Sequence, residues 1–131
     1  MSELSELLKA RTMKFCLDVC CILRNIPESE PGLTAKRQLA RSATGVAFDY
    51  RASCRARSHD EFTAKIGIVA EESDETQGWL EFIEASELLK SEELTRLIVE
   101  STEIVAIMSS AYGTAKYNQR NRRPDDRRKR K

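Results

Sequence analysis

No proline interrupts this 131-residue chain between Pro31 and Pro124. Because proline is the residue that α-helices tolerate least, so long a proline-free stretch favours long helices. β-branched and aromatic residues show no sustained alternation with polar residues, so the sequence carries no strand signal. The chain is therefore predicted to be all-α.

Apolar residues at intervals of three and four predict a first helix from about Ser2 to Ile26. Its inward stripe is expected to comprise Leu4, Leu8, Thr12, Phe15, Val19, Ile22 and Ile26. Two prolines and a glycine within residues 27–32 then end the helix. A second helix is predicted from about Leu33 to Arg57, with Gly45 lowering its intrinsic propensity. Its inward face is expected to comprise Leu39, Ala43, Val46, Ala47, Tyr50 and Cys54.

Two serines mark the starts of the third and fourth helices. Ser58 followed by Glu61 forms a capping box, and Ser91 is followed by two glutamates that suit the positive end of a helix dipole. The third helix is expected to end near 89–90, and the fourth to fray after Tyr117. The predicted stripe of the third helix is Phe62, Ile66, Val69, Ser73, Thr76, Leu80 and Ile83. That of the fourth is Leu94, Leu97, Ile98, Ser101, Ile104, Val105, Met108, Ala111 and Ala115.

The connections between these helices are short, so consecutive helices should run antiparallel. The predicted architecture is an antiparallel up-down-up-down four-helix bundle over residues 1–117. Residues 118–131 contain eight basic residues against two acids, and Pro124 is their only apolar residue. A segment of this composition cannot build a core, so it is predicted to be a disordered basic tail.

The net charge of +1 conceals a strong segregation of charge along the chain. The second helix has six basic residues against one acid, and residues 58–90 have nine acids against two basic residues. A basic surface made of the second helix and the tail could bind the phosphates of a nucleic acid, most plausibly RNA. Its candidate contacts are Arg37, Arg41, Arg51, Arg55, Arg57, Arg120, Arg122, Arg123, Arg127 and Arg128.

Two alternatives to this nucleic-acid surface remain open at this point. The basic helix could instead pair with the acidic helix, either within one chain or across a subunit boundary. The tail could be a solvated extension that only aids solubility. The tail has no aromatic residues between its basic ones, which argues against a specific single-strand site.

The sequence contains no recognisable active site. His59 is the only histidine, whereas a di-iron bundle needs two Glu-x-x-His motifs. No P-loop, dinucleotide glycine motif or Gly-x-Ser-x-Gly occurs. No cofactor, metal or catalytic residue is therefore expected, and the chain is predicted not to be an enzyme.

Two residue sets could bind a metal, although each has a plainer interpretation. Cys16, Cys20 and Cys54 with His59 could bind zinc, but free cysteines usually pack as small hydrophobes. The run of acids from 71 to 75 offers carboxylates, but such a run is more often a solvated or ion-paired helix face.

Trp79 and Phe82 flank the apolar stripe of the third helix. They could form a protein interface, where aromatic residues are enriched, or they could belong to the core. The first residues lack the pattern of a signal peptide, and no apolar run reaches the roughly 20 residues of a membrane span. The protein is therefore expected to be cytoplasmic, with its four cysteines reduced and with no membrane partner.

The stretch from Leu39 to Phe82 resembles a known family. It contains an Arg-Ser-Ala-Thr motif at 41–44, Tyr-Arg at 50–51, Arg-Ala-Arg-Ser at 55–58, Asp-Glu-Thr at 74–76 and Trp-Leu-Glu at 79–81. These motifs are similar to those of the four-helix bundle proteins encoded in intervening sequences of bacterial 23S ribosomal RNA genes. The chain departs from the family pattern at Phe48 and Asp49, where Ala-Asn is usual, and at Ser53, where Glu is usual.

The resemblance implies an up-down bundle that assembles as a five-fold ring, in a family most of whose members have no established activity. A related branch, the accessory proteins of diversity-generating retroelements, binds a reverse transcriptase and nucleic acid through a basic surface. The expected function is therefore that of a non-enzymatic homo-oligomer, a pentamer by resemblance, that binds RNA or DNA. The alternative is a protein–protein scaffold or accessory subunit, for example of a reverse transcriptase.

Overall fold

The computed structural model describes residues 2–122 and contains four helices within them. These are α1 (Glu3–Leu23), α2 (Gly32–Ser53), α3 (His59–Ala85) and α4 (Glu92–Arg120). The described residues contain no strand, so the predicted all-α class is confirmed. None of these helices is both long enough and apolar enough to cross a membrane.

Contacts between the helices define the topology of the bundle. Between α2 and α3, Ser42 meets Thr76 while Gly45 meets Glu72, so the residue numbers run in opposite directions. Between α3 and α4, Gln77 donates a hydrogen bond to Thr102, while Gly67 lies against the ring of Tyr112. Between α1 and α4, Arg11 donates a hydrogen bond to Glu100. The groove between these two helices runs from that pair to Ile22 of α1 and Glu93 of α4. Consecutive helices are therefore antiparallel, which is the predicted up-down-up-down bundle.

The core lies along the common axis of the four helices. The largest fully buried side chains come from every helix, and they include Val19, Leu39, Val46, Ile66, Leu80, Ile83, Ile104 and Met108. These residues belong to the predicted stripes, which are confirmed over most of their length. Leu4 is the exception, since 64% of it is exposed. The first turn of α1 lies at the margin of the bundle, and Leu4 points to solvent there.

The caps predicted at the two serines are confirmed. Ser58 Oγ accepts a hydrogen bond from the backbone N–H of Glu61, and Ser91 Oγ accepts one from that of Leu94, each at 3.1 Å. Both serines have extended backbone dihedrals, as an N-cap requires. Each serine satisfies one of the N–H groups that a helix start leaves without a partner.

The helix ends differ from those predicted. The last turn of α1 closes at Leu23 rather than Ile26, and α3 stops at Ala85 rather than near 89–90. Glu87 has a φ of 58°, and the N–H of Leu88 bonds back to the carbonyl of Ile83. This closure usually uses glycine at the left-handed position, so a glutamate there gave no stop signal in the sequence.

The other two helices also end away from their predicted limits. α2 ends at Ser53 rather than Arg57. Backbone hydrogen bonds that span only three residues, from the N–H of Arg55 to the carbonyl of Ala52 and from that of Ala56 to Ser53, tighten the chain into a turn there. α4 continues to Arg120, beyond the predicted Tyr117. The predicted disorder of residues 118–131 is therefore wrong at 118–120, which are helical, and the prediction for 123–131 lies outside the described residues.

Candidate nucleic-acid interface

A broad, open groove of about 440 Å³ lies where the end of α2 meets the start of α3. We call it the basic groove, and its lining residues are Phe48, Arg51, Ala52, Arg55, Arg57, Glu61 and Lys65. Phe48 and Arg51 lie one turn apart on one face of α2, and Arg55 follows two residues after the end of that helix. Arg57 comes from the tight turn after α2, and Lys65 from the second turn of α3.

The positive charge of the basic groove is only weakly compensated. Arg51 and Arg55 are exposed, and neither makes an ion pair with any residue between 2 and 122. Arg57 has its Nε 3.8 Å from Oε2 of Glu61, but 90% of the Arg57 side chain is exposed. An ion pair that is this loose and solvated contributes little. Four cationic side chains therefore meet one carboxylate in the groove.

Arg41 and Arg37, which were predicted to bind the same ligand, lie elsewhere. The Arg41 guanidinium pairs with Glu75 of α3, and its Nε donates to Gln38 at 3.1 Å. Arg37 is exposed but lies 14 residues before Arg51 on the same helix, about 21 Å along its axis. The predicted pairing of the basic helix with the acidic one is therefore observed at Arg41, whereas Arg51 and Arg55 of the basic groove make no ion pair within residues 2–122.

The end of α4 is attached to the start of α3. Arg122 donates to both carboxylate oxygens of Asp60, at 2.7 and 3.2 Å, and only 11% of its side chain is exposed. Gln119 also donates to Asp60, at 3.0 Å, while Arg120 is exposed. Asp60 adjoins Glu61 of the basic groove, so the chain enters the tail at the same end of the bundle. Of the other predicted contacts, Arg123, Arg127 and Arg128 lie outside the described residues.

The two aromatic residues of α3 divide between the two roles that the sequence left open. Trp79 packs partly buried against the core, and its Nε1 donates to Glu75 at 3.3 Å. Phe82 meets the Trp79 ring edge-on at 5.5 Å between centroids, yet 40% of Phe82 remains exposed. Trp79 is therefore largely a core residue, and Phe82 is the part of this pair that a partner could reach.

A pair of carboxyl groups between α2 and α3 was not foreseen. Glu72 inserts its carboxyl group over the backbone of Gly45, where a β-carbon would overlap Oε2 and lie 2.6 Å from Cδ. Burial, together with hydrogen bonding to Asp49, raises the pKa of Glu72 to about 8. Gly45, which the sequence marked only as a poor helix former, is the residue that makes room for this carboxyl group.

The described residues contain no group of three or more His, Cys, Asp or Glu side chains that could hold a metal ion. Of the predicted thiol ligands, Cys16 is buried and Cys20 is exposed, and burial raises the pKa of Cys16 to about 11. His59 is 3.0 Å from the carbonyl oxygen of Ala115, so it joins α3 to α4. The carboxylates of the acidic run likewise diverge, since Glu75 pairs with an arginine of α2.

Phe48 and Lys65 line the basic groove but were not among the predicted site residues. Phe48 precedes Arg51 by three residues and Arg55 by seven, so a projection of α2 alone could have placed it beside them. Lys65 lies on a helix whose net charge is strongly negative, and only the packing of α3 on α2 brings it to the basic groove.

Comparison with known proteins gives one family and one fold. The family model described as 23S rRNA-intervening sequence protein matches residues 7–110. A solved structure of a protein with unknown function from the S23 ribosomal protein family of Bacteroides thetaiotaomicron superposes with a TM-score of 0.72. Its sequence is 24% identical, and the match covers 80% of this chain and 97% of that one, which supports the fold. No curated protein matches. On the strength of the family model, which spans most of the bundle, the chain belongs to the 23S rRNA-intervening sequence protein family.

Proposed function

We propose that this protein binds nucleic acid, with RNA as the first candidate, through the basic groove and the basic tail, and that it has no catalytic activity. The observation that carries the proposal is the pair of exposed arginines, Arg51 and Arg55, which have no acidic partner within residues 2–122. Two acids of α3, Glu75 and Asp60, pair instead with Arg41 and Arg122, and Glu61 is the one carboxylate that lines the basic groove.

Such a surface binds through phosphate contacts and the release of counterions. Arg51, Arg55, Arg57 and Lys65 can each meet a phosphate oxygen, which positions a nucleic acid without reading its sequence. Each neutralised phosphate adds about 0.7 to 0.9 to the slope of log affinity against log salt concentration. Removing three arginines should therefore reduce that slope by about two to three.

The test is a fluorescence anisotropy titration of labelled RNA at several salt concentrations. The variant carries Arg51→Gln, Arg55→Gln and Arg57→Gln. A matched control carries Lys14→Gln in α1, Arg24→Gln directly after α1 and Arg96→Gln in α4. It loses the same number of positive charges as the groove variant. The groove variant should lose most of its affinity, and the control little. Undetectable binding of the unaltered protein at about 50 mM salt, or equal losses in the two variants, would refute the proposal.

The tail is tested separately, in the full-length chain. Arg123, Arg127 and Arg128 are changed to glutamine, and the groove is left intact. If the tail adds phosphate contacts, affinity and salt slope should both fall. If it serves only solubility, the salt slope should stay the same and the protein should aggregate at lower concentration.

A protein scaffold is the second candidate function, and it rests on Phe82. This ring is exposed on a strongly acidic helix. A basic protein partner with an apolar anchor would fit such a surface. Co-purification of a partner that survives nuclease treatment but is lost in Phe82→Ala would favour the scaffold. Light scattering with and without nuclease would report the predicted homo-oligomer, a pentamer by resemblance, and any bound nucleic acid.

A further inference from the structure

Phe48 is an exposed aromatic ring among cationic side chains. More than half of its surface, 55%, is open to solvent, and it lines the basic groove together with Arg51 and Arg55. It sits one turn before Arg51 on α2, so about 5 Å of helix separates their backbones. An apolar ring in this position stabilises the bundle little, because most of it is not removed from water by folding.

Phe82 shows that the surroundings of Phe48 are distinctive. Both are phenylalanines on the outer face of a helix, and both are largely exposed. Phe82, however, packs edge-on against Trp79 on the acidic helix α3. Phe48 instead lines the basic groove, in which three arginines and a lysine meet one glutamate. The two rings therefore offer the same chemistry in opposite electrostatic settings.

We propose that Phe48 is a stacking platform for an unpaired base, so that the basic groove binds single-stranded rather than duplex nucleic acid. This inference rests on the proposed function. Arg51, Arg55 and Arg57 hold the neighbouring phosphates, and more than half of the Phe48 side chain is open to solvent in the groove. In a duplex the faces of the bases are covered by their neighbours, so a ring on a rigid helix cannot reach them. Stacking on an aromatic side chain tolerates any base, because every base has a π-face.

The test compares single-stranded RNA and DNA of about twelve nucleotides with a duplex of the same charge, again by anisotropy. Phe48→Ala should weaken single-strand binding about 5- to 150-fold, the range that loss of one stacked base produces, and duplex binding less than twofold. The salt slope should not change, because no charge is removed. Phe82→Ala is the matched control and should leave both affinities unchanged.

A second variant keeps the experiment decisive if Phe48→Ala is poorly folded. Phe48→Trp preserves a stacking surface, so it should retain single-strand affinity. It also adds a second tryptophan to a chain that has one, and a stacked base should quench its emission. Quenching by a single strand but not by the duplex supports the proposal. Loss of affinity of Phe48→Ala for single-stranded RNA or for single-stranded DNA supports the proposal too. Whichever of the two loses affinity shows whether the groove binds a ribose or a deoxyribose backbone.

Several results would overturn the inference. Equal losses in Phe48→Ala and Phe82→Ala, or equal losses on single strand and duplex, would remove the stacking role. A lower mass of Phe48→Ala in light scattering would show that the ring is a contact between subunits. If single strands and duplex bind equally and only the arginine variant loses affinity, this inference fails while the proposed function stands. If the unaltered protein binds neither, the proposed function itself fails.

Discussion

Glu72 is the acidic side chain whose charge the bundle accommodates least well. Its carboxyl group fills the space over Gly45, and its Oε1 is buried without a hydrogen-bond partner among residues 2–122. Asp49 faces it from α2 within hydrogen-bonding reach, while Arg41 of α2 and Glu75 of its own helix act on it with opposite signs. Two carboxyl groups can share a hydrogen bond only if one of them is protonated, so the site favours a neutral Glu72.

The perturbation that tests this account is Glu72→Gln. Glutamine has nearly the same shape, stays neutral at every pH, and can donate a hydrogen bond to the Asp49 carboxylate. Because the pKa of Glu72 is raised from 4.5 to about 8, the folded state binds this proton more tightly than the unfolded chain. The associated stability is fully present below about pH 4.5 and is lost as the pH rises through about 8.

The magnitude follows from the size of the shift. Each pKa unit corresponds to about 1.4 kcal/mol, and most of this shift is expressed between pH 5 and pH 9. Because Glu72 is only partly buried and can relax towards water, we take about half of the full value. Relative to the unaltered protein, Glu72→Gln should therefore gain about 2 kcal/mol of unfolding free energy over that interval. In urea, the difference between the unfolding midpoints of Glu72→Gln and the unaltered protein should therefore increase by roughly 1 M between pH 5 and pH 9.

Urea unfolding followed by circular dichroism at pH 5, 7 and 9 measures this directly. Glu71→Gln is the control, since it removes an exposed carboxylate one residue away. The control should track the unaltered protein at all three pH values. If Glu72→Gln tracks it as well, Glu72 is already charged at neutral pH and the reasoning about the space over Gly45 is wrong.

Four further substitutions, at three positions, are tested by the same unfolding assay. Ser58→Ala removes the N-cap of α3 and should lower the unfolding free energy by about 1 kcal/mol, and an unchanged midpoint would contradict the cap. Thr76→Val deletes the buried hydroxyl that donates to Ser42 at 2.9 Å, leaving that serine short of a partner, for a loss of about 1–2 kcal/mol. A threonine-to-serine change at position 76 should lose less than the valine, because the hydroxyl is kept. Gly45→Ala should expel the facing carboxyl group, so the dependence of stability on pH should shrink as it does in Glu72→Gln. A pH dependence equal to that of the unaltered protein would show that the carboxyl group does not occupy this space.

The helices themselves could be predicted because their signals are local. A period of three and four residues requires only the helix geometry, and the serine caps at Ser58 and Ser91 act within one turn. The same locality explains the errors at helix ends. The left-handed residue that stops α3 is Glu87, a residue type with no strong preference for that conformation, so the end at Ala85 could not be recognised.

The candidate site, like the fold, could be predicted only in part from the sequence. Composition along the chain determined that α2 is basic and α3 acidic, and this alone pointed to a charged surface. Which cations remain available depends on distances across helices: Arg41 meets Glu75 and Arg122 meets Asp60, whereas Arg51 and Arg55 have no such acid within residues 2–122. Charge is a property of the residue, but compensation of that charge is a property of the packing.

The sequence by itself therefore determined four amphipathic helices, their order and the sign of the charge on each. Only the tertiary structure decided that Lys65 of α3 joins Phe48, Arg51 and Arg55 in one groove, and that Gly45 makes room for Glu72. The physical reason is the range of the interactions. Helix periodicity and capping act within a few residues of the chain, whereas grooves and buried carboxyl groups are made by residues that lie far apart in sequence and meet only when helices pack.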